Sequence, residues 1–115
     1  MKISDRKFSR KPSNQALLTG MAQSLILKER IKTTQVKGRE AAKLTEKLIT
    51  KGKQGDLAGQ KELRRYLSNN AAKKVANDLA QRYQNRAGGY TRIIKLGQRS
   101  SDGAKMVFVE LVKEA

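Results

Sequence analysis

The C-terminal segment sets the tightest limit on what this chain can fold into. Ala104 to Val112 is the strongest strand signal in the sequence, because Val107, Val109 and Leu111 recur at every second position and give an extended chain one apolar face. Gln98 to Gly103 contains Ser100, Ser101, Asp102 and Gly103, a loop composition. Before it, Tyr90 to Leu96 alternates, with Tyr90, Arg92, Ile94 and Leu96 on one side and Thr91, Ile93 and Lys95 on the other. Which side faces inward is open, and Ile94 with Leu96, or else Ile93, is expected to hold this strand to the core. Gly88-Gly89 precedes it as a hinge, since glycine takes backbone angles closed to residues with a Cβ. Two strands around a short loop read as a hairpin. A hairpin alone is marginal in water and needs a cover on one face.

The preceding sequence supplies that cover as helices. Leu18, Met21, Ala22, Leu25 and Ile26 fall on one helical face, with Leu17 beside it; Ser13 or Asn14 is the expected N-cap and Lys28 the end. Arg30 to Thr34 is short and β-branched, a predicted strand. A second helix runs from Thr34 to about Lys51, burying Val36, Ala41, Leu44, Leu48 and Ile49, and Gly52-Lys53-Gln54-Gly55-Asp56 breaks it. A third spans about Leu57 to Leu67, and Ser68-Asn69-Asn70 caps a fourth from about Ala71 to Tyr83, with Val75, Leu79 and Tyr83 inside. The expected architecture is a two-layer α+β fold of order α-β-α-α-α-β-β. Its small mixed or antiparallel sheet packs on helices.

The chain's 115 residues fit one domain, predicted as residues 13–115, with residues 1–12 as a basic arm. Charge narrows the partner. Lys and Arg number 26 against 10 Asp and Glu, a net charge of +16, which disfavours the compact state unless an anion neutralises it. Nucleic acid is the expected partner. No apolar run approaches the length of a membrane span, and the basic start lacks the apolar core of a secretory signal, so neither a membrane nor export is expected. Without Cys or His, the chain has no disulfide, thiol chemistry, zinc finger or histidine general base. Gly52 to Gly55 lacks the Gly-Lys-Ser/Thr of a phosphate loop, and the carboxylates are scattered. No enzyme activity, catalytic residue, cofactor, metal or small-molecule substrate is expected.

The cations are unevenly placed. Lys2, Arg6, Lys7, Arg10, Lys11, Lys28, Arg30, Lys32, Lys37 and Arg39 face only Asp5 and Glu29 within residues 1–39. Arg82, Arg86, Arg92, Lys95 and Arg99 have no acid among residues 82–99. Phosphate binding explains such concentration, because each cation on a phosphate releases a condensed counterion. Lys2, Arg6, Lys7, Arg10, Lys11, Arg30, Lys32, Lys37, Arg82, Arg86, Arg92, Lys95 and Arg99 are therefore the candidate RNA contacts. Tyr90 has two readings, packing in the core or stacking on a base or ribose. Tyr66, Tyr83 and Phe108 sit on faces expected to be buried, so the protein should read RNA backbone and shape.

Several runs carry a family resemblance: Ser24-Leu25-Ile26, Glu29-Arg30-Ile31-Lys32-Thr33-Thr34, Glu46-Lys47-Leu48-Ile49-Thr50, Arg82-Tyr83 with Arg86, Gly88-Gly89-Tyr90-Thr91-Arg92-Ile93, and Glu110-Leu111-Val112. Together they resemble bacterial large-subunit ribosomal protein seventeen over essentially the whole chain. The sequence departs from that pattern at Asn14-Gln15, where a His-Arg pair is usual, and at Gln81, usually Pro. The resemblance implies the same α+β fold and a structural role in the large subunit of a cytoplasmic ribosome. It also implies contact with large-subunit rRNA and with neighbouring ribosomal proteins. The rival reading is a free nucleic-acid-binding module, such as a nucleoid protein or RNA chaperone.

Overall fold

The structure is a computed structural model that describes residues 12–113. The predicted arm with Lys2, Arg6, Lys7, Arg10 and Lys11 lies outside the described residues. The elements are α1 (Pro12–Lys28), β1 (Arg30–Thr34), α2 (Gln35–Gln54), α3 (Leu57–Tyr66), α4 (Asn69–Lys73), a π-helical segment (Lys74–Leu79), α5 (Ala80–Arg82), β2 (Thr91–Gln98) and β3 (Lys105–Leu111). The segments from Asn69 to Arg82 follow one another without a break and make up the predicted fourth helix. The expected order therefore holds. The three strands form one sheet in the order β1-β3-β2, antiparallel at both pairings.

β3 is central because its apolar face is continuous. Val107, Val109 and Leu111 are fully buried under the helices. Register puts Thr33 and Lys95 opposite Val107, Ile31 and Ile93 opposite Val109, and Thr91 opposite Leu111. Directly opposed residues share a face, so these side chains are on the helix side. Ala22, Leu25 and Ile26 of α1, Leu48 and Ile49 of α2, Leu63 of α3, and Val75 and Leu79 of the π-helical segment complete the core.

α2 lies closest to the sheet. A Cβ on Gly38 would sit 2.9 Å from Val107 Cγ2 and 3.0 Å from Val109 Cγ2. The buried face of α2 is Gly38, Ala41, Ala42, Thr45, Leu48, Ile49 and Gly52. Val36, expected inside, is 74% exposed. Two residues advance a helix by roughly 200°, so a face centred on Gly38 turns Val36 outward. The predicted break over residues 52–56 holds, but the helix runs past Lys51 into it. Gly52 is buried inside the helix, where a Cβ would meet Val75 Cγ1 at 2.5 Å. The helix ends at Gly55, whose φ of 69° is left-handed. At the other end of the chain's first helix, Pro12 is already helical, so Ser13 and Asn14 lie within α1. Proline presets the helical φ at such a first turn.

The hairpin differs most from expectation. Ile93, Ile94 and Leu96 are 37%, 36% and 41% exposed, so none of the three holds β2 in the core. From Arg92 onward every residue of β2 is exposed, because β2 is an edge strand reaching past the helical layer. The register shifts between Lys95 and Gly97, leaving Leu96 as a bulge that bends the strand.

Gly38→Ala should lower the midpoint of urea unfolding. The helix-propensity gain of up to about 1 kcal/mol is smaller than the ~1–3 kcal/mol of overpacking against two valines stiff at χ1. Val36→Ala should change stability by less than about 0.5 kcal/mol. Equal effects at the two positions would contradict the packing described for α2.

Candidate nucleic-acid interface

An open groove of ≈ 740 Å³ runs between α1, β1 and the first turn of α2. Gly20, Met21 and Ser24 of α1 form part of its wall. Lys28 from the last turn of α1, Arg30 and Lys32 from β1, and Lys37 from α2 bring four cations to it, and its lining contains no carboxylate. The local fold explains the convergence. Period two along β1 turns Arg30 and Lys32 outward while Ile31 and Thr33 face the helices. Lys28 and Lys37 stand at the two helix ends that flank the strand. All four are exposed, and Lys28, Lys32 and Lys37 make no ion pair with a described residue. A lysine ammonium presents three donors and no acceptor, so the groove offers an anion many donors and nothing repulsive.

The predicted contacts at 82–99 have a different setting. Their stretch is free of acids in sequence but not in space. Arg82 turns inward, its side chain 20% exposed, and donates to Glu29 through NH1 at 2.7 Å and NH2 at 3.0 Å. Asp78 lies 3.5 Å from it. Arg92 donates to Glu110 Oε1 at 2.8 Å from NH2 and 3.1 Å from Nε, and Arg30 lies 3.6 Å from the other oxygen of the same carboxylate. Arg99 donates to Asp102 at 2.8 and 3.0 Å, closing the loop of the hairpin. Arg86 Nε donates to the carbonyl of Gly89 at 3.2 Å. Lys95 is exposed and makes no ion pair with a described residue. Arg82 is therefore a structural residue, whereas Arg92, Lys95 and Arg99 remain on the surface.

Tyr90 is 1% exposed and cannot stack on a base. It stops short of β2, which frees its ring from the strand's alternation to pack on Tyr83 with centroids 5.0 Å apart. Its hydroxyl accepts from Lys53 Nζ at 3.0 Å, and the same ammonium also donates to the carbonyl of Arg86. Tyr83 is buried and donates to the carbonyl of Val112; burial pushes its phenol pKa up. Of the two hinge glycines, Gly89 has a left-handed φ of 65°. Nothing lies within 4 Å of a Cβ built on Gly88.

Glu29 is the electrostatic centre of the joint between α1 and β1. It has a left-handed φ of 67°, and its carboxylate also takes Lys74 Nζ at 2.8 Å. The hydrogen bonds from Arg82 and then Lys74 outweigh desolvation and lower its pKa from 4.5 to about 2. The guanidinium of Arg82 is correspondingly raised by Glu29. Asp102, beside Arg99, is lowered to about 2 as well, but on a fully exposed loop.

Two placements escape a reading of the sequence. Lys28 joins the groove only because α1 ends beside β1. Phe108, expected inside, is half-buried on the sheet's outer face. The signal was present: it alternates with Val107, Val109 and Leu111, so it must face away from them.

Replacing Lys28, Lys32 and Lys37 together by Ala should weaken RNA binding and reduce the log–log salt slope by about 2–3, with thermal unfolding nearly unchanged. An unchanged slope would remove the groove from the interface. Because the folded pKa of Glu29 is depressed, its contribution is complete above 4.5 and is lost as pH falls toward about 2. Glu29→Gln should therefore destabilise the protein at neutral pH and flatten the loss of stability between these pH values. A mutant curve parallel to the wild-type curve would show that another group carries the effect.

Comparison with known proteins identifies the family. The sequence pattern of the family described as ribosomal protein L17 matches residues 17–112. Large ribosomal subunit protein bL17 of Desulforudis audaxviator (strain MP104C) is 46% identical over 104 residues, covering 90% of this chain and 93% of that protein. The protein of the same description from Syntrophomonas wolfei subsp. wolfei is 42% identical over 105 residues, covering 90% and 93%. The one from Staphylococcus epidermidis (strain ATCC 35984) is 42% identical over 119 residues, covering 93% and 98%. The chain belongs to the ribosomal protein L17 family.

Proposed function

We propose that the protein is a structural constituent of the large ribosomal subunit in the bacterial cytoplasm, bound to large-subunit rRNA chiefly through phosphates and helix shape. The groove of Lys28, Arg30, Lys32 and Lys37, with no carboxylate on its lining, carries this reading. Its cations converge from three elements onto one surface, an arrangement that recognises a polyanion and not a small acidic substrate. The relatives named above are described as large ribosomal subunit proteins, which supports the ribosome over a free nucleoid or chaperone role.

Lys2, Arg6, Lys7, Arg10 and Lys11, which lie outside the described residues, are proposed to contact further phosphates, and Arg92, Lys95 and Arg99 on the hairpin to meet the RNA as well. Arg86, beside Gly88 and Gly89, lies between the hairpin and the core. The role calls for no catalysis: the protein holds RNA segments in place and presents its remaining surface to neighbouring ribosomal proteins. No helix among the described residues is long and apolar enough to cross a membrane.

Sedimentation of a cell lysate tests the proposal. The protein should travel stoichiometrically with the large subunit and stay there through moderate salt. Recovery at the top of the gradient would mean that the ribosomal assignment is wrong.

A further inference from the structure

Among the described residues, the helices cover one face of the sheet and leave the other open. Across the open face the register sets Arg30, Glu110 and Arg92 in one row, and Lys32, Phe108 and Ile94 in the next. Directly opposed residues project from the same side, so Phe108 stands at the middle of the face between a lysine and an isoleucine. The guanidinium carbon of Arg30 lies 3.7 Å from the centroid of the Phe108 ring, a stacking separation. Glu110 takes Arg30 at 3.6 Å and Arg92 at 2.8 Å, fixing one arginine from each edge strand over the central one. A guanidinium has five N–H donors, so a shared carboxylate leaves both arginines with donors to spare. In the following row Gly97 stands opposite Met106 and bears no side chain, which keeps that end of the face open.

Two chemistries meet here. Three cations against one carboxylate ask for an anion, and an accessible ring with a planar cation on it asks for a flat π-system. A base in a duplex already stacks on its neighbours, whereas an unpaired nucleotide supplies both a free flat face and a phosphate. Arg30 also lines the lysine groove, so a strand lying in the groove reaches the open face without leaving the protein.

We infer that the open sheet face binds an unpaired nucleotide of RNA, its base held against Phe108 and Arg30 and its flanking phosphates held by Lys32 and Arg92. Glu110 acts as a positioning residue that keeps the two arginines apart and aimed outward. The inference rests on the RNA-binding function proposed above and adds a class of target to it. Beside backbone and shape, the protein selects a site where a base is free.

The test uses the full chain with two probes, a short single-stranded oligo(U) carrying 5-iodouridine and an RNA hairpin with a fully paired stem. Irradiation should cross-link the oligonucleotide to Phe108. Phe108→Leu should lower affinity for the single strand by about 5- to 100-fold while leaving the paired stem within about two-fold. Phe108→Tyr, which keeps the ring, should restore single-strand binding and shows that the loss in the leucine variant is not misfolding. A cross-link confined to other residues, or a leucine variant that binds the single strand as the wild type does, overturns the inference while stem binding persists. Failure of the wild-type protein to bind either probe overturns the RNA-binding function itself, and this inference with it.

Discussion

The carboxylate of Glu29 joins more of this molecule than any apolar contact does. Its backbone N–H closes α1 onto the carbonyl of Leu25, and its carbonyl accepts from Leu111 of the central strand. Its side chain takes Arg82 and Lys74 from the helical stretch before the hairpin. One residue thus sets where the first helix stops, where the sheet begins and where the last helix docks. It does so with a left-handed backbone, a conformation that costs energy in a residue with a side chain and persists only where surroundings over-determine it. Two cations and two backbone hydrogen bonds supply that constraint.

The same economy governs the charges. With so few acids among many bases, where the acids stand decides which cations are available. Glu29 and Asp78 hold Arg82, Glu110 holds Arg30 and Arg92, and Asp102 holds Arg99. Glu46 accepts from both the N–H and the hydroxyl of Thr91 at the start of β2. Asp56 caps α3 by accepting from Gly59 at 2.7 Å. Glu29, Glu46, Asp56 and Glu110 therefore stand where elements meet, and the lining of the groove of Lys28, Lys32 and Lys37 is left without an acid. Uneven placement, more than total charge, leaves one surface basic without a carboxylate on it.

The fold was legible in the sequence because each element announced itself by period. Val107, Val109 and Leu111 identified the central strand, Leu25 and Ile26 the buried side of α1, and Val75, Leu79 and Tyr83 the inner side of the last helical stretch. Reading failed where a residue's role depends on what comes to meet it. Gly52 looks like a helix stop until Val75 is seen against it. Val36 has an apolar side chain, but the side of α2 facing the sheet is chosen by Gly38, which lets the backbone approach. The interface was harder to read for the same reason. The cation-rich run at 82–99 has no acid within it, yet Glu29, Glu110 and Asp102 reach three of its arginines from elsewhere in the chain. Lys28, unremarkable on a helical pattern, reaches the groove through its proximity to β1. The fold and the partner class follow from local pattern; individual contacts follow from long-range register.

The bulged outer edge of β2 has a consequence before any ribosome is met. An exposed edge strand carries unpaired backbone groups and is a template on which a second copy can add. Here Ile93, Ile94 and Leu96 make that edge apolar as well. Arg92 and Lys95 put a cation on each face of the strand, and the bulge at Leu96 breaks its straightness. A cation on the strand and a bend in it are both devices that blunt edge-to-edge pairing. The charges and the bend thus oppose pairing of this edge with a second copy, and the electrostatic part of that opposition weakens as salt screens it.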